Sequence, residues 1–257
     1  MRPHTNLVGA GDIVPSDARV VLQVSRWDRL KDMAGVLNGF GTHLSRWSAD
    51  AHLVLVGPDV LGVGDDPEGA EVLFECVDLW RSLPPPAAQR RSHLVSLPMD
   101  DVGENAHLVN ALQRHAAVVV QKSLVEGFGL TVTEPMWKGR PVVASAVGGV
   151  RDQIVDGVSG LLLEDPTDLD RFADPVTSVL EDDELASRLG AAAARRVRDQ
   201  YLPRPSPDPV RRSVGRAPGR DGVLAPNAPW LARRPSRPLQ RFQARRSAIS
   251  EPEIRSG

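Results

Sequence analysis

The sequence predicts an α/β domain in which one parallel sheet is flanked by helices. Three observations carry that prediction. Six short apolar runs recur between residues 19 and 163, most of them rich in valine and leucine. Stretches of helical character lie between most of these runs. Glycine, proline and aspartate mark the joins. Short buried strands alternating with helices need crossover connections, which build a parallel sheet covered on both faces.

Taken in order, residues 1–18 read as an irregular lead containing glycine and proline. Residues 19–25 (RVVLQVS) form a short, β-branched first strand. A polar turn follows, and Asp32 stands where an N-cap is needed for a helix over about 33–44. Residues 52–56 make a second strand, closed by Gly57 and Pro58. A helix over about 69–83 ends at three prolines, 84–86. Residues 93–97 are a third strand, 104–115 a helix and 116–120 a fourth strand. A short helix over 130–138 precedes a fifth strand at 141–145 and a sixth at 160–163. Residues 167–180 and 182–201 complete the domain as helices. In such sheets ligands sit beyond the carboxyl ends of the strands. The turns 26–31, 121–130 and 146–149 all fall at that edge.

The chain has 257 residues, 41% of them hydrophobic, with a formal net charge of −2. That length suits one large core or two modest ones. Cys76 is the single cysteine, which excludes an intrachain disulfide and fits a cytoplasmic protein. The histidines are scattered without metal-ligand spacing, and no metal is expected. The first residues lack the apolar core of a signal peptide. No apolar run approaches the roughly 18 residues that cross a membrane, so no membrane partner is expected. The overall charge gives no reason to expect a nucleic-acid partner.

Charge is unevenly spread. Residues 203–257 hold twelve arginines, no lysine and four acids, a net +8, which leaves −10 for residues 1–202. The same tail holds ten of the 22 prolines. Its composition cannot readily support a core, and disorder is expected. The abrupt change near Leu202 is read as an altered reading frame, with a basic arm for nucleic acid or acidic membrane as the alternative.

The chemistry gathers around residues 126–134, EGFGLTVTE. Glu126 and Glu134 bracket a glycine-rich turn between a strand and a helix. Unpaired N–H groups and the positive end of the dipole at such a helix start seat a phosphate. Gly127 and Gly129 let backbone approach a ligand. The glutamates can accept hydrogen bonds from hydroxyl groups beside that phosphate. Arg26 and Lys31 leave the first strand and can hold a diphosphate, Arg26 as a fork and Lys31 as a point charge. The alternative for both is a solvated turn paired with Asp28 or Asp32. Gly148 and Gly149 either admit a ligand or simply turn the chain. Trp27, Phe128 and Trp137 either line a sugar site or pack. Lys138 reads as a surface residue. Asp100 and Asp101 would be metal candidates only with further ligands nearby.

Residues 118–134 (VVVQKSLVEGFGLTVTE) resemble retaining glycosyltransferases with two Rossmann-like domains, which carry a Glu, seven residues, then a second Glu. Residues 23–28 (QVSRWD), 97–101 (LPMDD), 110–115 (NALQRH), 136–141 (MWKGRP) and 147–154 (VGGVRDQI) are similar to the trehalose synthase and trehalose phosphorylase branch. The resemblance covers about residues 15–202. It implies that residues 19–202 are the C-terminal, donor-binding Rossmann-like domain. Arg26 and Lys31 match the pair on the donor phosphates, and Glu126 the glutamate beside the donor sugar. These three are the implied catalytic residues. Gly127, Phe128, Gly129, Leu130 and Thr131 match the turn that holds sugar and phosphate. Glu134 matches the glutamate on the ribose. The implied reaction joins glucose from a nucleoside diphosphate glucose to free glucose, with retention, giving trehalose. The nucleotide sugar is a substrate, and no cofactor or metal is implied. A trehalose phosphorylase using glucose 1-phosphate, or a sugar-nucleotide-binding remnant without catalysis, are the alternatives.

The sequence departs from the family at two further points. Enzymes of this type carry an N-terminal domain that supplies the acceptor pocket. The expectation is that this chain needs a separate N-terminal-domain chain for activity, or works within a homodimer. Pro135 follows Glu134, and proline in a helix interior costs about 3 kcal/mol. If the helix starts near Thr131, the placement of Glu134 is expected to suffer.

Overall fold

The structure is a computed structural model that describes residues 6–10, 14–60 and 67–202. The Arg- and Pro-rich tail from Pro203 lies outside the described residues, as does the start of the predicted lead. The predicted parallel sheet is present. β2 (Arg19–Val24), β3 (Ala51–Pro58), β4 (Ser92–Leu97), β5 (Val118–Gln121), β6 (Val142–Ser145) and β7 (Leu161–Leu163) run parallel. A seventh strand corrects the reading of the lead as irregular. β1 (Asn6–Ala10) pairs antiparallel with β4, Asn6 opposite Ser96 and Ala10 opposite His93. A five-residue segment containing glycine has no periodicity of its own, and the free edge of β4 supplies its backbone partners.

The sheet order is β1-β4-β3-β2-β5-β6-β7. The chain therefore starts its parallel part in the middle, moves outward through β3 and β4, then returns to the other side of β2 with β5. That reversal is the topological switch point, the place where an open α/β sheet parts to receive a ligand.

Eight helices cover the described sheet. α1 (Met33–Thr42), α2 (Pro67–Ser82), α3 (Pro86–Arg90) and α7 (Leu169–Glu181) contribute to one core. There Met33, Leu37, Phe40, Leu73, Cys76 and Phe172 meet Val21, Leu53, Leu55, Val118 and Val120. α4 (Val102–His115), α5 (Leu130–Trp137), α6 (Val150–Gln153) and α8 (Asp183–Gln200) contribute to the other. There Leu108, Val132, Met136, Ala193 and Val197 meet Val20, Leu22, Val54, Val56 and Val119. Alternate residues of the parallel strands feed opposite cores, as the two-residue period requires.

The helix starts follow capping chemistry. Asp101, Asp168 and Asp182 accept from backbone N–H groups three residues on, at 2.9 Å in each case. Asp101 is thereby the cap of α4. No group of three or more metal-ligating side chains occurs among the described residues. The prolines that end α2 also open α3, whose first residue is Pro86. α5 begins at Leu130 and runs through Pro135 to Trp137. Proline removes the donor that would reach the Thr131 carbonyl, but the next turn closes, with Lys138 N–H donating to Glu134 O at 3.3 Å. Glu134 thus keeps helical placement, because the missing bond falls near the end of a short helix.

Among the described residues, no helix is long and apolar enough to cross a membrane.

Neighbouring strands bury two imidazoles in contact, His52 Nδ1 lying 3.0 Å from His93 Nε2. Burial first, and then His52, pushes His93 down from 6.5 to about 3. The folded protein excludes a proton that the unfolded chain binds below 6.5. Stability is therefore complete above that pH and is lost as pH falls toward 3. From pH 7 to 5 this one group should cost about 2 kcal/mol. Urea unfolding at both pH values should show that loss, and His93→Gln should remove most of it.

Candidate functional site

The site is built from loops leaving three adjacent strands, β2, β5 and β6, at their carboxyl ends. After β2 comes a single 3-10 turn, Arg29–Lys31. Asp28 Oδ1 fixes it by accepting from the Leu30 N–H at 2.8 Å. Asp32 then adopts a φ of 48°, the one non-glycine residue with positive φ among those described. Short polar side chains tolerate this region best. Its Oδ1 accepts from the Gly35 N–H at 3.1 Å and so caps α1, as the sequence predicts.

Lys31 donates from Nζ to Glu126 Oε2 at 2.5 Å across the switch point. The two side chains are only 15% and 10% exposed. Ser123 Oγ lies 3.3 Å from the same carboxylate oxygen, and Gln121 Nε2 donates to Ser123 Oγ at 3.0 Å. Glu126 therefore sits in a fixed frame of donors. Lys31 meets it directly, whereas Arg26 turns to Asp28, its guanidinium 2.8 Å from Oδ2. The Arg26 side chain is 69% exposed. An ion pair so exposed is worth about 0.2–1 kcal/mol, so Arg26 exchanges it readily for another anion.

The turn of residues 126–129 leads into α5. Gly129, with φ of 85°, caps the helix without any side-chain hydrogen bond. The dipole end of α5 is left facing outward at the turn. A Cβ on Gly127 would meet nothing within 4 Å, so open space lies in front of this residue. Gly148 is the opposite case. A Cβ there would stand 1.7 Å from the Glu126 carbonyl oxygen, and φ is 50°. The Gly149 N–H donates to Gly127 O at 2.7 Å, and Gln153 Nε2 donates to Phe128 O. Of the two readings for 148–149, the structure favours a packing one: the glycines let one turn lie against another.

Glu134 lies within α5. Its Oε2 lies 3.3 Å from Gln113 Nε2, and Lys138 Nζ donates to Gln113 Oε1 at 2.5 Å. Lys138 is therefore half-buried rather than a free surface residue. Burial lowers its pKa, with Glu134 opposing that effect. Thr131 is half-buried and Leu130 exposed in the first turn of α5.

The aromatic side chains divide. Trp27 is fully buried and donates from Nε1 to Pro58 O at 2.9 Å, so it belongs to the core. Phe128 is half exposed, its ring edge-on to Tyr201 at 5.8 Å. Trp137 is exposed on α5. The sequence reading missed Gln23, Gln113, Gln121, Lys122, Ser123 and Gln153, all buried polar residues around the site. A polar residue at the end of an otherwise apolar strand was the available signal for Gln23 and Gln121.

Residues 102–196 match the family model of glycosyl transferases, group 1. This is a group 1 glycosyl transferase domain of Rossmann-like fold, and its family is one of transferases. Its homologues include trehalose synthases. That of Pyrococcus horikoshii is 35% identical over 189 residues, covering 74% of this chain and 42% of the relative. That of Rubrobacter xylanophilus is 37% identical over 182 residues, covering 71% and 40%. Sucrose-phosphate synthase from Thermosynechococcus elongatus superposes with a TM-score of 0.60 at 28% identity, covering 72% of this chain and 42% of that one. The chain thus spans less than half the length of these three relatives.

The two glycine contacts make opposite predictions. Gly148→Ala should destabilise by roughly 3 kcal/mol, since strain and overlap add. Gly127→Ala should leave the urea midpoint within about 0.5 kcal/mol of wild type, as surface substitutions do.

Proposed function

We propose that this chain is the donor half of a retaining glycosyltransferase that makes trehalose from a nucleoside diphosphate glucose and glucose. One observation carries the reading. A lysine from the loop after β2 meets Glu126, at the mouth of a glycine turn, across the switch point of the sheet. Similarity to trehalose synthases supports the choice of product.

In this reading the diphosphate lies over the turn, against the dipole end of α5 and the N–H groups of residues 127–131. Arg26 and Lys31 supply fixed positive charge. Glu126 accepts from hydroxyl groups of the donor glucose, and Glu134 from the ribose. The bond between glucose C1 and the phosphate oxygen breaks, and electrons pass to the diphosphate. The acceptor hydroxyl attacks C1 from the same face and gives its proton to the departing phosphate oxygen. Charge accumulates on that phosphate, where Arg26 and Lys31 stabilise it most. We assign the acceptor pocket to the portion of the relatives' length beyond the matched span. The single, buried Cys76 suits work in the cytoplasm.

Calorimetric titration of the full chain with UDP-, ADP- and GDP-glucose tests the donor site. One of the three should bind, and Arg26→Ala and Glu134→Ala should each weaken it about tenfold, the loss of one charged hydrogen bond. Binding of glucose 1-phosphate but of no nucleotide sugar would replace this reading with a phosphorylase. Binding of none of these would remove the donor-site reading.

A further inference from the structure

Behind the Lys31–Glu126 contact lies a second ion pair that the proposed chemistry does not use. Lys122 is the residue immediately after β5. Its side chain is 1% exposed, and its Nζ donates to Asp32 Oδ2. Asp32 follows Lys31 directly and holds the positive φ that turns the chain into α1. The pair therefore joins the β2 loop to the β5 loop, 90 residues apart in sequence.

Two further ties link the same loops. Gln23 is fully buried at the end of β2. Its Nε2 donates to the Lys31 carbonyl at 2.8 Å, and its Oε1 accepts from the Lys122 N–H at 3.4 Å. The Leu124 N–H donates to the Leu30 carbonyl at 2.8 Å. Lys31 and Glu126 belong to loops that diverge from opposite sides of the switch point, and their meeting is set by these ties. A buried ion pair contributes little net stability compared with apolar packing, while it demands one arrangement of its partners. Its place here, one residue from Lys31 and four from Glu126, makes that arrangement the useful one.

We propose that Lys122 and Asp32 are a positioning pair, which holds Lys31 against Glu126 and so presets the diphosphate end of the donor site. The inference takes its ligand from the donor reading above, but the positioning itself is testable without a ligand. Lys122 touches no reacting atom. Its loss should act on the phosphate end of the site and spare the ribose end, where Gln113 and Lys138 hold Glu134 independently.

The chain has three lysines, Lys31, Lys122 and Lys138, so acylation of each can be followed by peptide mass spectrometry. The proteins are the full wild-type chain, Lys122→Met, and the double variant Lys122→Met/Asp32→Asn. The double variant removes both charges, and asparagine keeps the helix cap and tolerates the positive φ. Where the single variant fails to fold because Asp32 is left unpaired, the double variant decides. In the folded variant Lys31 should acylate at least roughly fivefold faster, since an ordered amine reacts through local opening. Lys138 should keep its wild-type rate. Affinity for the nucleoside diphosphate glucose that binds wild type should fall about tenfold, with the matching nucleoside monophosphate unchanged. A wild-type Lys31 rate in the folded double variant would overturn the proposal. So would an equal loss of both ligands, which marks general damage. If wild type binds no nucleotide sugar, the donor reading falls, and the Lys31 rate still decides for or against the pair.

Discussion

The structure depends on how one gap is bridged. β2 and β5 are neighbours in the sheet, yet the connections that leave them run toward opposite ends of it. Backbone groups at their carboxyl ends therefore lose the partners that an unbroken ladder would provide. Water would fill that crevice unless side chains spanned it. Here Gln23, from within β2, satisfies a carbonyl in one loop and an N–H in the other. The charged residues of the site are laid over this polar floor. Their short contacts follow from the bridging beneath them.

A second constraint acts at the adjacent turn. Gly148 and Gly149 bring backbone against the carbonyls of Glu126 and Gly127 at distances no side chain would permit. The turn that carries Glu126 is thus held from two sides, by the β2 loop and by the β6 loop. Its open side is the one that Gly127 faces. Support on two sides and open space on another is what a preorganised site requires, because the cost of ordering it is met during folding.

Much of this was legible in the sequence. Strands buried on both faces read as unbroken apolar runs, and six of the seven were found that way. Asp32 was legible as a cap because capping is a local matter of three residues. Glu126, Gly127, Gly129 and Glu134 were legible as a strand-turn-helix unit for the same reason. Other features were hidden because they depend on partners far along the chain. β1 has no pattern of its own and exists through the edge of β4. Lys122 sits in a run of polar residues that resembles any surface loop, and only the fold brings Asp32 over it. Trp27 read equally well as a sugar platform or as core, and the approach of Gly57 decides for core. The expected harm from Pro135 is not seen in the helix, since α5 has too few turns left after it to be broken.

The end of α8 also bears on the glycine motif. Tyr201 packs its ring against Phe128, and its hydroxyl donates to the Asp152 carbonyl at 3.0 Å. Arg196, one turn earlier, donates from Nε to the Gln153 carbonyl at 2.7 Å. Gln153 in turn grips Phe128 O. The close of α8 is therefore a buttress for a loop some seventy positions upstream. Anyone trimming this domain to a minimal folding unit would have to place the cut beyond Tyr201. A boundary drawn a few residues sooner would keep every strand and still loosen the mouth of the cleft.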